Sequence, residues 1–312
     1  MESTEIRNTK EYIGMVAEEL QRLKQRENAV ILAHYYVDGQ VQAMADYVGD
    51  SYYLAKIAAQ SDKQTIVFCG VRFMGESAKI LNPSRRVLLP DERADCPMAH
   101  MARAEDIRRL RAEIPNLAVV CYINSTAALK AESDVCVTSS NALKIVSALP
   151  NQDILFIPDD NLGHYIAARL PEKRFHYLGG HCPVHSVVLA QDVESEKLAH
   201  PAAKVLTHPE CRGEVRALSD FVGSTSEIIS FAEKSDAKEF ILCTEPGVLY
   251  ELSLRCAGKK FYPVTPLCLD MKLVTPEKVL ACLNGGGFEV KMGEEEMNAA
   301  RRPLERMLEL AK

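Results

Sequence analysis

Cys96, Cys182 and Cys268 stand 86 residues apart and then 86 again. Each sits in a turn-forming context, "ERADCPM", "GGHCPV" and "VTPLCLD". Other features keep the same period, as they do in a chain built from internal repeats. The apolar runs "VILAHYY" (30–36), "AVVCYIN" (118–124) and "AKVLTHPE" (203–210) put His34, Tyr122 and His208 in register, followed by Tyr36, Asn124 and Glu210. A hydroxyl-rich turn then opens a helical pattern in each third: "GDSYYLAKIA", "TSSNALKIV" and "GSTSEIISFA". Ser51, Ser139 and Ser224 are the expected N-caps there. A second apolar run follows each helix ("TIVFCG", "DILFIPDD", "EFILCTE"), and a third precedes each cysteine ("RRVLLPD", "KRFHYLG", "KKFYPVT").

Strand, helix, strand, helix, strand and cysteine turn, three times over, predict an α/β protein. Its three repeated three-layer domains have short parallel sheets with right-handed crossovers, arranged about a pseudo-threefold axis. The expected divisions are 1–104, 105–190 and 191–275, with C-terminal helices in 276–312 packing on the first repeat. Ligands of such sheets gather beyond the carboxyl ends of the strands. His34/Tyr36, Tyr122/Asn124, His208/Glu210 and the three cysteine turns all fall at such ends, so one central cavity would receive them all.

The chain has ten cysteines in 312 residues. The N-terminus, MESTEIRNTKEY, has no apolar signal region, so disulfides are not expected and burial or metal binding is. Cys69, Cys121 and Cys243 lie inside apolar strand-like runs and read as core. Cys182 and His185, in "GGHCPVH", have Cys-x-x-His spacing, but a closed zinc site needs four ligands and no second pair of that form is present. Three cysteines, one from each repeat, suit a [4Fe–4S] cluster whose fourth iron stays open. On that reading Cys96, Cys182 and Cys268 are ligands, and His185 lines the cavity.

The chain resembles the quinolinate synthase family over about three quarters of its length, from "LAHYY" to "LDMK". The matching stretches are "GDS", "FCGVRFMGESAKIL", "LPDERADCPMA", "CYINSTAALKAESDVCVTSSNA", "HPEC", "DFVGSTS" and "PLCLDMK". The resemblance implies three α/β domains around a central [4Fe–4S] cluster on Cys96, Cys182 and Cys268. It implies condensation of iminoaspartate with dihydroxyacetone phosphate, with loss of phosphate and two waters, to give quinolinate for NAD biosynthesis. It also implies substrate-binding roles for His34, Ser51, Tyr122, Asn124, Ser139, His208 and Thr225, and a supply of iminoaspartate from an aspartate oxidase or dehydrogenase. Where some members carry further cysteines around the third ligand, this chain has "CLDM", so no redox-active pair is expected there. Cys211, beside Glu210, reads as incidental.

Both substrates are anionic, yet the chain carries a net charge of −6 and has no arginine cluster at the strand ends. Hydroxyls and free N–H groups at helix N-termini bind anions without a full positive charge, a role expected of Ser51, Ser139, Ser224 and Thr225. His34, His208 and Asn124 suit carboxylate or carbonyl oxygens. Tyr36 and Glu210 are the acid–base candidates, supported by Tyr122 and His185. The absence of a basic block excludes electrostatic nucleic-acid binding. No apolar run approaches the roughly 20 residues that span a bilayer, and a cytoplasmic enzyme is expected.

"NGGGF" (284–288) reads as a helix stop, and the terminal "EEEMNAARRPLERMLEL" as an amphipathic helix interrupted at Pro303. Residues 36–50, with Gly39 and Gly49, form the expected lid. Two rival readings remain: a reductive enzyme of the hydroxymethylbutenyl diphosphate reductase type on the same architecture, and a non-catalytic iron–sulfur sensor. The first would need an electron donor. The second leaves the in-register His, Tyr, Asn and Glu groups unexplained.

Overall fold

The computed structural model describes residues 18–312; the sequence also suggests a helix over 9–26 on the outside of the first repeat, of which residues 9–17 lie outside the described part. Twelve parallel strands form three sheets. The first third contributes β1 (Ala29–His34), β2 (Tyr47–Gly49), β3 (Thr65–Cys69) and β4 (Arg86–Leu89). The second contributes β5 (Ala118–Tyr122), β6 (Val135–Val137), β7 (Asp153–Ile157) and β8 (Arg174–His176). The third contributes β9 (Lys204–Thr207), β10 (Phe221–Val222), β11 (Glu239–Cys243) and β12 (Lys260–Pro263). The sheet orders are β2-β1-β3-β4, β6-β5-β7-β8 and β10-β9-β11-β12, one order used three times. All six residues of β1 and all five of β5 are buried, as expected of parallel strands covered on both faces.

Each repeat therefore has four strands, not the three legible as apolar runs. The extra one (β2, β6 or β10) is two or three residues long and pairs beside the first strand, with Tyr47, Val135 and Phe221 opposite Leu32, Val120 and Leu206. An aspartate sets its register. Asp46, Asp134 and Asp220 each give a backbone N–H to the carbonyl of Ile31, Val119 or Val205. Each takes the N–H of that same residue on its carboxylate at 2.8 Å. One side chain so replaces a ladder bond that strands this short cannot supply.

Past the third repeat, β13 (Phe288–Glu289) adds antiparallel to β4, and Lys278 Nζ donates to Asp91 in the first repeat at 2.7 Å. The last helix, Glu294–Leu310, lies against Arg72–Leu81 of the first repeat and also against Ala127–Ala131 and β6 of the second. It wedges between two repeats where the sequence suggested one. Nor does Pro303 interrupt it, because the helix runs through that residue. Pro303 is buried in line with Met297, Ala300, Leu304 and Met307. Burial of about 1.5–3 kcal/mol for each large apolar side chain outweighs the roughly 3 kcal/mol that an internal proline costs. The "NGGG" stop behaves as expected, with Gly285 at φ +86°.

Residues 36–50 are pinned to the third repeat. Gln42 Nε2 donates to Tyr35 O and Val37 O and, across the boundary, to Gly247 O at 3.0 Å. Lys272 Nζ donates to Tyr36 O at 2.7 Å.

Candidate active site and metal centre

The carboxyl ends of all three sheets meet at one cavity. Among the residues lining it are His34, Tyr36, Ser51, Cys96, Tyr122, Asn124, Ser139, Cys182, His185, His208, Glu210, Thr225 and Cys268. No lysine or arginine lines it among the described residues. Of the candidate catalytic, substrate-binding and metal-ligating residues named from the sequence, Ser224 alone is not part of the wall.

The hydroxyl turns differ from expectation. Ser224 is a true cap: its Oγ accepts from Glu227 N and donates to the Glu227 carboxylate in a capping box. The other two are not. Asp50, one residue earlier, caps the helix Ser51–Gln60 by accepting from Tyr53 N at 2.9 Å, because a carboxylate competes well for that position. Ser51 becomes the first helical residue, its hydroxyl unneeded for the cap. In the second repeat the helix begins only at Ala142, behind Asn141, which leaves Ser139 in the preceding turn facing the cavity.

The histidines share one local device. Tyr36 N donates to His34 Nδ1 at 3.2 Å, and Glu210 N to His208 Nδ1 at 3.3 Å. A ring whose Nδ1 accepts carries its proton on Nε2, so these bonds assign each imidazole a free Nε2–H. Burial holds both rings neutral, with pKa values lowered to about 3.

Glu210 is buried among them. His185 Nδ1 lies 2.8 Å from its Oε2, and the two imidazole planes of His185 and His208 stack at 4.7 Å. Burial alone would push this carboxyl up. The polar contacts of His208, His185 and the Tyr122 hydroxyl offset that and hold it below its ordinary value. Its Oε1 is buried without a partner, as is Asn124 Oδ1. Orphaned buried acceptors are rare in proteins and point to a missing ligand.

From Glu210 a chain of hydrogen bonds crosses the cavity. His185 Nε2 meets Thr244 Oγ1 at 3.3 Å, Thr244 Oγ1 meets Tyr36 Oη at 2.9 Å, and Tyr36 Oη meets Thr225 Oγ1 at 2.8 Å. Burial, with Glu210 adding to it, raises the Tyr36 phenol well above its ordinary value, so it stays protonated. Thr244 went unnoticed in the sequence. It follows β11 in "LCTEPG", where the other repeats have Gly70 and Pro158, so no register signal marked it.

The three cysteine turns are built alike. Each cysteine precedes a short helical turn, Pro97–His100, Pro183–Ser186 or Leu269–Lys272. The backbone N–H groups at the start of each turn, at Ala99, His185 and Met271, favour the thiolate of the cysteine before them. Each cysteine's own N–H is held by a carboxylate. Asp159 Oδ2 accepts from Cys182 N at 2.9 Å and Glu245 Oε1 from Cys268 N at 3.1 Å. Asp159 and Glu245 occupy the same place after the second strand of their repeats, 86 residues apart. The first repeat has Val71 there, and Asp95 takes over, accepting from Cys96 N at 2.7 Å. These carboxylates also went unnoticed, although their spacing repeats that of the cysteines.

Burial raises all three thiols, Cys268 to about 11, and Cys96 is pushed up further by Glu210 and Cys268. Buried thiols in a cavity wall without lysine or arginine are poor thiolates until a metal supplies the charge. The donor set therefore fits a metal centre. Cys182, His185 and Glu210 also place one ligand atom each within 4.8 Å of one another. By contrast Cys69, Cys121 and Cys243 are fully buried in their strands, as expected. Cys211, buried with its Sγ on Cys243 O at 3.3 Å, is not part of the cavity wall.

The chain is similar to known proteins over nearly its whole length. A family model described as "NadA: Quinolinate synthetase A protein" matches residues 18–309. The quinolinate synthase of Caldicellulosiruptor saccharolyticus is 48% identical over 301 residues, 96% of this chain and 99% of that one. That of Clostridioides difficile is 46% identical over 295 residues, 94% of this chain and 97% of the relative. That of Aquifex aeolicus is 46% identical over 310 residues, 97% and 96% respectively.

Proposed function

The chain belongs to the quinolinate synthetase A family, and on that premise we propose how its own residues form quinolinate from iminoaspartate and dihydroxyacetone phosphate. Phosphate and two waters leave, and no electrons are gained or lost. The observation that carries the reading is the convergence of Glu210, with its unpartnered Oε1, and three cysteine turns on one cavity lined without lysine or arginine.

Cys96, Cys182 and Cys268 would hold a [4Fe–4S] cluster. When bound, it supplies an open iron that eases the departure of water as a Lewis acid. The Nε2–H groups of His34 and His208, with Asn124, bind carboxylate and carbonyl oxygens. Ser51, Ser139 and Thr225 bind anionic oxygens at helix starts and turns, as neutral donors can; Ser224 serves by capping its helix. Glu210 takes the substrate proton on Oε1 while His185 and Tyr122 hold it in place. Two anions entering a cavity without cations raise its pKa by like charge, so it becomes a better base when substrates are bound. The proton returns to a departing hydroxyl from Tyr36, which the Thr244–His185 chain connects to Glu210.

No helix among the described residues is long and apolar enough to cross a membrane, which suits a cytoplasmic reaction. Iminoaspartate would come from an enzyme that oxidises aspartate, an oxidase or a dehydrogenase. The test is turnover with both substrates and no electron donor. Quinolinate formed under those conditions supports the reading; a strict need for a reductant contradicts it and favours the reductive rival.

Changing Ser139 or Thr225 to alanine should weaken substrate binding by about 1–3 kcal/mol, the usual loss for a hydrogen bond to a charged group. Absorption of the iron–sulfur centre should not change. Unaltered dissociation constants in both variants would leave these hydroxyls with local structural roles only.

Asp159 uses one oxygen for Leu162 N and the other for Cys182 N. Asn has a single oxygen, so Asp159→Asn turns an amide N–H₂ toward one of those donors. Iron retention should fall by about 10–100-fold, as when an outer hydrogen bond to a metal ligand is lost. The rate of iron release to a chelator measures it, and an unchanged rate would speak against the anchoring role.

A further inference from the structure

The Cys182-Pro183-Val184-His185 turn carries half of a zinc-type ligand set, and the fold brings a third donor to it from another repeat. His185 Nδ1 lies 3.2 Å from Cys182 Sγ and 2.8 Å from Glu210 Oε2, and the ligand atoms of all three lie within 4.8 Å of one another. His185 and Glu210 are buried. Two further observations point to a ligand. Glu210 Oε1 is buried with no partner, so the carboxylate that reaches His185 through Oε2 keeps an unsatisfied oxygen that a ligand would satisfy. The far nitrogen of His185 meets Thr244 Oγ1 at 3.3 Å, the outer contact that fixes ring orientation and proton position in metal-binding histidines.

We propose that Cys182, His185 and Glu210 form a mononuclear site for one divalent cation of the zinc class, filled when the chain lacks its cluster. Thiolate, imidazole and carboxylate are the three ligand types zinc accepts, and three protein ligands leave a fourth position open to the cavity. The site shares Cys182 with the cluster, so the two cannot be occupied together. A cation here withholds one of the three cysteines from cluster assembly. It also neutralises Glu210 as a base, so a zinc-loaded chain is inactive. The competition, though not the binding itself, rests on Cys182 being a cluster ligand.

The test uses the full chain, stripped of iron by a chelator under anaerobic reducing conditions and titrated with cobalt(II) alone. One cobalt per chain should bind, with tetrahedral d–d bands and a thiolate-to-cobalt charge-transfer band, and zinc should displace it. Cys182→Ser should abolish the charge-transfer band. Cys96→Ser and Cys268→Ser should keep it. Thr244→Val should weaken cobalt binding by about 10–100-fold. If Cys182→Ser does not fold, His185→Gln and Glu210→Gln carry the same question, and cobalt affinity unchanged in both overturns the proposal. So does the absence of a thiolate band at stoichiometric cobalt, or its loss in Cys96→Ser and Cys268→Ser as fully as in Cys182→Ser, which would mean a three-thiolate site. A chain that assembles four irons but binds no cobalt contradicts this site alone. One that binds cobalt at Cys182 but never assembles a cluster contradicts the cluster reading alone.

Discussion

A Glu210→Gln enzyme is expected to lose about 10²–10⁴-fold in kcat, the range that a positioned acid–base group supplies. Glutamine keeps the shape of the side chain and can still bond to Tyr122 and His185, so the cavity should keep its form. What it lacks is a basic oxygen at the Oε1 position, which the structure leaves buried and unpartnered. Iron content and KM should therefore stay near those of the unmodified enzyme while kcat falls. A cluster-replete Glu210→Gln enzyme with near-normal turnover would move the proton transfer elsewhere. Tyr36 is a poor substitute, since burial keeps its phenol protonated.

Replacing Cys182 with serine should leave the chain with little or no iron–sulfur centre and no activity, because an oxygen ligand holds such clusters poorly. The same holds for Cys96 and Cys268. Cys69→Ala should keep full iron content and cost only packing energy, a few kcal/mol at most for so small a buried side chain. Iron and acid-labile sulfide measured on both variants decide the assignment. A Cys69→Ala chain without iron, beside a Cys182→Ser chain with its full complement, would reverse it.

The features legible in the sequence were those written in residue type and period. Apolar runs long enough to be strands locate β1, β3, β4, β5, β7, β8, β9, β11 and β12, and the polar groups at the ends of β1, β5 and β9 mark the cavity wall. What escaped was short or depended on which neighbour bonds to which. β2, β6 and β10 are too brief to show a pattern, and only the aspartates at 46, 134 and 220, themselves in register, hinted at them. Asp159 and Glu245 look like ordinary loop carboxylates until the fold sets them beneath Cys182 and Cys268. Ser51 and Ser139 fit the hydroxyl-cap pattern, but Asp50 and Asn141 occupy the positions just before the helix starts. The rule that proline breaks a helix is local and cannot weigh the burial that offsets it at Pro303.

With one cysteine from each repeat holding a four-iron cluster, quinolinate formation should depend on that cluster. The most direct test is iron and acid-labile sulfide counted per chain in anaerobically purified protein, with quinolinate formation assayed on the same samples. The account predicts four of each per chain and activity that rises in proportion to cluster content. Full quinolinate synthesis by a chain free of iron and sulfide would contradict it.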